Sequence, residues 1–254
     1  MRFLLLSLPL PARAAAPFDA ESIMAGVAKN QERAESARNA YVYHQDVLVR
    51  LLKTNGKLAR EERRAYVVTP TATGTHHDLI ETKSAPSTAG EIDRDLAGDL
   101  ASDLTRDSRS RDGIDHDLFP LTSAKQKQYS FRLVGRESYR ERRVYHIYFE
   151  PRTDQVEWKG DAYIDEDDLQ PVMISTRMAH SIPLVVRTVL GTNIANLGFK
   201  ITYRPFDGQW FPESYSGEMK LRVLFLYSRR AGIRLENRNF QRTEVSTELS
   251  FPVP

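Results

Sequence analysis

From Tyr129 to Phe251 the chain is a nearly unbroken series of short segments in which apolar and polar residues alternate. Tyr129, Phe131 and Leu133 alternate with Ser130 and Arg132, and Tyr145, Ile147 and Phe149 alternate with His146 and Tyr148. A period of two belongs to β-strands with one buried and one solvated face. Further strands are predicted up to Asp165, from Leu169 to Ile174, and over Leu197–Tyr203, Trp210–Ser216, Glu218–Tyr227 and Gly232–Thr243. The connections are short and polar, and none holds a helix long enough for a parallel crossover. Antiparallel meander connectivity follows.

The first half begins differently. Asp19 is placed to cap a helix in which Ile23, Val27, Ala34 and Ala37 recur at helical spacing, ending near Asn39. Tyr41 to Leu51 then alternates as a strand, and Asn55-Gly56 predicts a hairpin turn. The return strand carries Arg60, Glu61, Glu62, Arg63 and Arg64, a density of charge that suits an exposed or edge position. A third strand is expected from Thr75 to Thr82. From about Lys83 to Lys125 the composition becomes rich in Asp and Arg. Ile92, Leu96, Leu100 and Leu104 would share one face of a loosely packed amphipathic helix, followed by a mobile loop through Gly113. Disorder from Ser84 to Asp115 is the alternative.

The N-terminus carries Arg2, an apolar stretch from Phe3 to Leu10, and the small residues Ala12, Ala14, Ala15 and Ala16. That order is expected of a cleavable export signal spanning residues 1–16, and it falls well short of the ~20 apolar residues that span a bilayer. No cysteine follows the signal, so the protein is not expected to be lipidated itself. The chain has no cysteine at all, so an exported fold must rest on its core alone. The formal charge of +2 includes Arg2 and Arg13, which leaves the mature chain near neutrality and argues against nucleic acid as a partner. One domain over residues 17–254 is expected, located in the periplasm as a monomer.

The order of leading helix, meander and interrupting helical segment resembles the periplasmic lipoprotein-carrier superfamily. So do Gly160-Asp161-Ala162-Tyr163-Ile164-Asp165, with Leu169-Gln170-Pro171-Val172 after it, and the stretch from Tyr203 to Pro212 containing Gly208-Gln209-Trp210. That superfamily includes the LolA and LolB carriers and the RseB-type sensors of envelope stress. The resemblance implies an α+β, mainly β fold: a half-open antiparallel β-barrel covered by an N-terminal helix and a helical insertion, with an apolar cavity for acyl chains. The Asp/Arg-rich insertion is longer and more polar than a simple lid.

A sheet curled into an incomplete barrel has an inner face that needs cover, and incomplete cover leaves an apolar cavity. Candidate lining residues are Val47, Val49 and Leu51; Tyr129, Phe131 and Leu133; Tyr145, Ile147 and Phe149; Leu197, Phe199 and Ile201; and Leu221, Val223 and Phe225. Alternation alone does not distinguish such a lining from ordinary core. Ile182, Leu184, Val185 and Val189 lie in an unusually apolar connection, a candidate cavity mouth or else another strand. No metal site or cofactor is expected. His76-His77-Asp78 points to both faces of a strand, Asp112 to Asp117 lacks a calcium-binding ladder, and Asp165-Glu166-Asp167-Asp168 is expected to be a solvated turn. No nucleophile elbow, metalloprotease motif or phosphate loop occurs, and no catalytic residue is assigned. Arg230, Arg234, Arg238 and Arg242 would share a strand face, joined by Lys220 and Arg222, as a solvated exterior or a meeting place for anionic headgroups or an acidic partner. The expected function is non-enzymatic carriage of lipid or lipoprotein acyl chains in outer-membrane lipoprotein sorting, with transient contact to a membrane or envelope protein. An RseB-like sensor or assembly factor with a filled cavity is the alternative.

Overall fold

The computed structural model describes residues 19–71, 74–106, 119–154, 158–179, 192–223 and 227–243. The expected signal, the mouth candidates Ile182, Leu184, Val185 and Val189, Phe225, and the acidic stretch Asp112 to Asp117 lie outside the described residues, as does the side chain of Val223. None of the described helices is long and apolar enough to cross a membrane.

Helix α1 (Ala20–Arg38) starts where the Asp19 carboxylate accepts the Ser22 amide at 2.7 Å. It leads into β1 (Tyr41–Leu52), β2 (Leu58–Thr71) and β3 (Gly74–Ala85), followed by α2 (Glu91–Arg106) and the short α3 (Ser123–Gln126). Seven more strands complete the fold: β4 (Tyr129–Tyr139), β5 (Arg142–Pro151), β6 (Trp158–Asp165), β7 (Pro171–Met178), β8 (Thr192–Phe206), β9 (Gln209–Val223) and β10 (Tyr227–Arg242). They form one sheet of ten strands in the order β3-β2-β1-β10-β9-β8-β7-β6-β5-β4, antiparallel at every pairing. The edges β3 and β4 do not meet, so the barrel is half-open. Two meanders are joined by the pairing of β1 with β10, and the chain passes from one sheet edge to the other through α2 and α3.

Helix α1 packs on β4, β9 and α3, and α2 packs on β1 and β2. The helix-covered face carries Tyr43, Val47, Val49 and Leu51 of β1, Ile147 and Phe149 of β5, Ile174 of β7, Ile201 of β8 and Leu235 of β10, all in the core.

Four expectations are corrected. The segments Trp210–Ser216 and Glu218–Tyr227 are not two strands, because β9 runs unbroken to Val223. Gly217 is not a chain break: the Phe199 ring of β8 lies across it, and a Cβ there would sit 2.5 Å from Phe199 Cδ1. The charged return strand β2 is not an edge, since β3 covers it. Its Arg60 and Glu62 are buried, paired at 3.3 Å, and face α2. On α2, Ile92 is 56% exposed, and the buried stripe is Asp93, Ala97 and Ala101, with Leu96, Leu100 and Leu104 half-buried beside it. Finally, Asp165 is buried rather than solvated. Its Oδ1 accepts the amides of Asp167 and Asp168 at 3.0 and 2.9 Å, and its Oδ2 meets Arg142 at 2.7 Å.

Candidate functional site

The two ends of the sheet differ. One end is closed by tight turns at Arg140-Glu141, Asp165–Gln170 and Asp207-Gly208, where Asp207 and Gly208 adopt positive φ. There Arg142 binds Asp165 and stacks its guanidinium 4.9 Å from the centre of the Trp210 ring, while Trp210 Nε1 donates to Asp168 at 3.1 Å. Arg38 of α1 donates to the Trp210 carbonyl at 2.8 Å. The two sequence stretches around Gly160–Asp165 and Trp210 thus meet, and their shared task is to lock α1 and the turns together.

The other end holds the β1–β2 hairpin, the start of α2 and the ends of β6, β7, β9 and β10. Here the cover of the sheet thins. Phe131, Trp158, Leu197 and Phe199, all pointing to the helix-covered face, are only half-buried. Trp158 and Phe199 lie 5.3 Å apart, and Phe199 stacks on Tyr215 at 5.3 Å and 22°. The floor beneath them is made of small residues. Gly217 lies under Phe199, Ala162 is fully buried, and a Cβ on Gly160 would overlap the Ser175 carbonyl oxygen. Large rings over a floor of small residues make an apolar row with accessible edges, which suits alkyl chains better than polar ligands.

Helix α2 covers β1 and β2, with its start at this end of the sheet, and meets the core through Ala97, Ala101 and the half-buried Leu96, Leu100 and Leu104. Ala97 and Ala101 let it lie close, and polar groups fix it. The buried Asp93 carboxylate receives Arg229 Nε at 2.8 Å and Nη2 at 3.0 Å, and the Tyr227 hydroxyl donates to it as well. Arg64 donates to the Gly98 carbonyl at 3.2 Å and to Ser102 Oγ at 2.9 Å. Burial pushes the Asp93 carboxyl up, but the hydrogen bonds from Arg229 and Tyr227 outweigh it and hold the group below its ordinary value. Burial and the Asp93 carboxylate together push the Tyr227 phenol well above its usual range. These charge-assisted bonds add to the packing of Ala97, Ala101 and the half-buried Leu96, Leu100 and Leu104 in fixing α2 on the sheet.

The remaining cavity candidates divide by placement. Val47, Val49, Leu51, Tyr129, Tyr145, Ile147, Phe149, Ile201 and Leu221 are packed into the core at 6% exposure or less. Leu133 sits 37% exposed at the β4 edge. Of the candidate set, Phe131, Leu197 and Phe199 combine the helix-covered face with partial access. Trp158 and the flank of α2 escaped the sequence reasoning. Trp158 begins its strand, and the α2 contacts depend on which face β2 turns to the helix.

Two grooves of about 620 and 520 Å³ lie on the opposite, helix-free face. The first is lined by charged residues paired among themselves, including Arg238 with Asp46, Lys83 with Glu81 and Arg234 with Glu236. The second is floored by Gly198 and Gly232 and bordered by Lys200, Arg50 and Glu218. The first lacks the apolar wall an alkyl chain needs, whereas the second adds Leu48 to its glycine floor and charged border. Among the described residues no group of three or more His, Asp or Glu is placed to hold a metal ion. His146 has both ring nitrogens engaged by carboxylates, Glu137 at 2.8 Å and Asp161 at 3.0 Å. His76 pairs with Asp78 at 3.0 Å, while His77 turns edge-on to Tyr66.

No family model matches the chain, and no curated protein matches it. Solved structures similar to it include a LolA superfamily protein from Nitrosomonas europaea, 11% identical, covering 90% of this chain and 96% of that one with a TM-score of 0.35. An outer membrane lipoprotein-sorting protein domain from Vibrio parahaemolyticus is 12% identical, covering 89% and 95% with a TM-score of 0.35. The MucA/MucB complex of Pseudomonas aeruginosa is also similar, at 9% identity, 86% and 99% coverage and a TM-score of 0.23. Likeness at this level carries no argument about ligand or activity.

Proposed function

We propose that this protein is a periplasmic, non-enzymatic carrier that holds acyl chains of lipids or lipoproteins against the aromatic row of Phe131, Trp158, Leu197 and Phe199, beneath or beside α2. The observation that carries this reading is the row itself: half-buried rings, on the face that otherwise forms the core, over a floor of glycine and alanine. Each buried methylene contributes about 0.8 kcal/mol, so a two-chain lipid binds firmly without a polar clamp. Helix α2, fixed over β1 and β2 by polar anchors and half-buried leucines, is the wall that would have to move. Sorting of outer-membrane lipoproteins is the specific role this reading favours, with release driven by a partner whose pocket binds the chains more tightly. The test is isolation of the protein from its native envelope followed by extraction and mass analysis of bound lipid. Acyl lipid recovered in stoichiometric amount supports the reading. Protein that is repeatedly empty and takes up neither phospholipid nor lipoprotein contradicts it.

A further inference from the structure

The cations on the helix-free face are unevenly distributed between the two ends of the sheet. At the turn end, charges come in pairs: Arg140 with Glu213 at 2.7 Å, Arg142 with Asp165 at 2.7 Å, and Arg143 with Asp167 at 3.5 Å. At the α2 end some cations are paired, Arg50 with Glu61 and Arg229 with Asp93, while others stand against one another. Arg230 of β10 stands directly opposite Lys220 of β9 in the hydrogen-bonded register, and Lys159 of β6 stands directly opposite Arg177 of β7. Like charges placed directly across a strand pair repel and destabilise a sheet. Arg177 reaches Asp161 at 3.5 Å, whereas Lys159, Lys220, Arg222 and Arg230 make no ion pair among the described residues. Two apolar side chains are exposed at the same end. Leu58 is 43% exposed at the start of β2, paired with Leu52, itself the partner of Arg230, and Ile92 is 56% exposed one residue from the Asp93 anchor. The hairpin lysines Lys53 and Lys57 stand beside them.

We propose that this end of the sheet is a docking surface for an anionic phospholipid bilayer. Cations that make no ion pair among the described residues, beside exposed aliphatic side chains, match the two demands of a membrane interface, attraction to anionic headgroups and shallow apolar insertion. An acidic polypeptide would satisfy the cations but leave Leu58 and Ile92 without a role. The cross-strand repulsion is relieved when headgroup phosphates sit between the paired cations. The surface borders the aromatic row, so docking would present that row to the bilayer; this link rests on the carrier reading, while docking itself does not require a filled site.

The experiment is cosedimentation of the full chain with vesicles of phosphatidylethanolamine and phosphatidylglycerol at 3:1, against vesicles of phosphatidylcholine alone. The paired variant Lys220→Gln/Arg230→Gln and the control Arg143→Gln are run beside it, the control removing a cation of β5 from the opposite, turn end of the sheet. Each basic residue near an anionic surface contributes roughly fivefold in partitioning, so the paired variant should bind the anionic vesicles about 25-fold more weakly. The control should bind like the parent protein, and binding should weaken with added salt. The paired variant should melt no lower than the parent, because it sheds a repulsion, which separates lost docking from lost folding. Equal binding to both vesicle types, or unchanged binding by the paired variant, overturns the proposal. Binding to a poly-glutamate peptide without binding to anionic vesicles also overturns it and assigns the surface to an acidic polypeptide. Acyl-chain uptake from detergent micelles is measured on the same samples. Docking by protein that takes up no acyl chain supports this proposal and contradicts only the carrier reading; uptake without docking does the reverse.

Discussion

Phe199 stays half-buried because Gly217 beneath it offers no side chain, and Trp158 and Tyr215 flank it at 5.3 Å on either side. A carboxylate in its place would stand in the path of any alkyl chain, and burying it there would cost several kcal/mol. Phe199→Glu should therefore weaken acyl-chain uptake at least ~tenfold, read from the fluorescence of Trp158 in a Trp210→Phe background, which leaves it the single tryptophan. Unchanged affinity would remove Phe199 from the site. Asp93 makes a second prediction through pH. Its folded carboxyl lies below the ordinary carboxylate value, near 3.9 in an unfolded chain, so its contribution is fully present above that value. The contribution is lost as pH falls through the lower, folded value. Amide exchange along α2 should be slow and constant from pH 7 to about pH 5, after correction for the intrinsic rate, and accelerate only below about pH 4. Asp93→Asn should bring the fast exchange to neutral pH, with a loss of about 3 kcal/mol confined to the helix.

At the scale of elements, glycine has two distinct tasks in the same floor. A side chain on Gly160 would strike backbone, the Ser175 carbonyl of β7, which cannot move without breaking the ladder. A side chain on Gly217 would strike side chains rather than backbone, the ring of Phe199 and, less closely, Ile233 Cγ1 at 3.2 Å. Gly160→Ala should thus destabilise the fold by about 3 kcal/mol in denaturant unfolding, and Gly217→Ala by about 1 kcal/mol while altering acyl-chain uptake. Equal losses would mean the two positions are not distinguished by what lies over them. The strands themselves were legible in the sequence, because alternation reports which residues share a face. Alternation does not report which strand lies next to which. The pairing of β1 with β10 brings together residues nearly two hundred positions apart, and no local signal announces it. For the same reason β2 read as an edge: its buried Arg60 and Glu62 look solvent-facing until α2 is seen to cover them. Gly217 read as a break because a glycine in a strand pattern gives no hint of the ring lying across it. On α2, the leucines four residues apart were plain, but the buried stripe runs through Asp93, Ala97 and Ala101, selected by the polar anchors on β10 and β2.

Across the whole molecule, one end of the sheet is locked and the other is thinly covered. Asp165, Arg142 and Trp210 bind α1 to the turns, and removing the buried carboxylate with Asp165→Ala should cost about 3 kcal/mol of global stability, since it strands Arg142 and the turn amides. The opposite end carries the aromatic row, the start of α2 with its Asp93 anchor, and cations that make no ion pair among the described residues. Of the apolar residues that alternation puts on one face, Val47, Ile147 and Phe149 are buried in the core, while Phe131, Leu197 and Phe199 are partly buried or half-exposed. Whether a residue lines space or fills it depends on what covers it, which a strand pattern does not encode. The central claim is that this uncovered row holds acyl chains. It is tested most directly by native mass spectrometry of the protein taken from its own envelope, beside Phe199→Glu prepared in the same way. Parent protein carrying added mass that fragments to fatty acyl groups, with the variant arriving bare, is the predicted result. Parent and variant both arriving at the mass of the chain alone, with no uptake of added lipid by either, would contradict it.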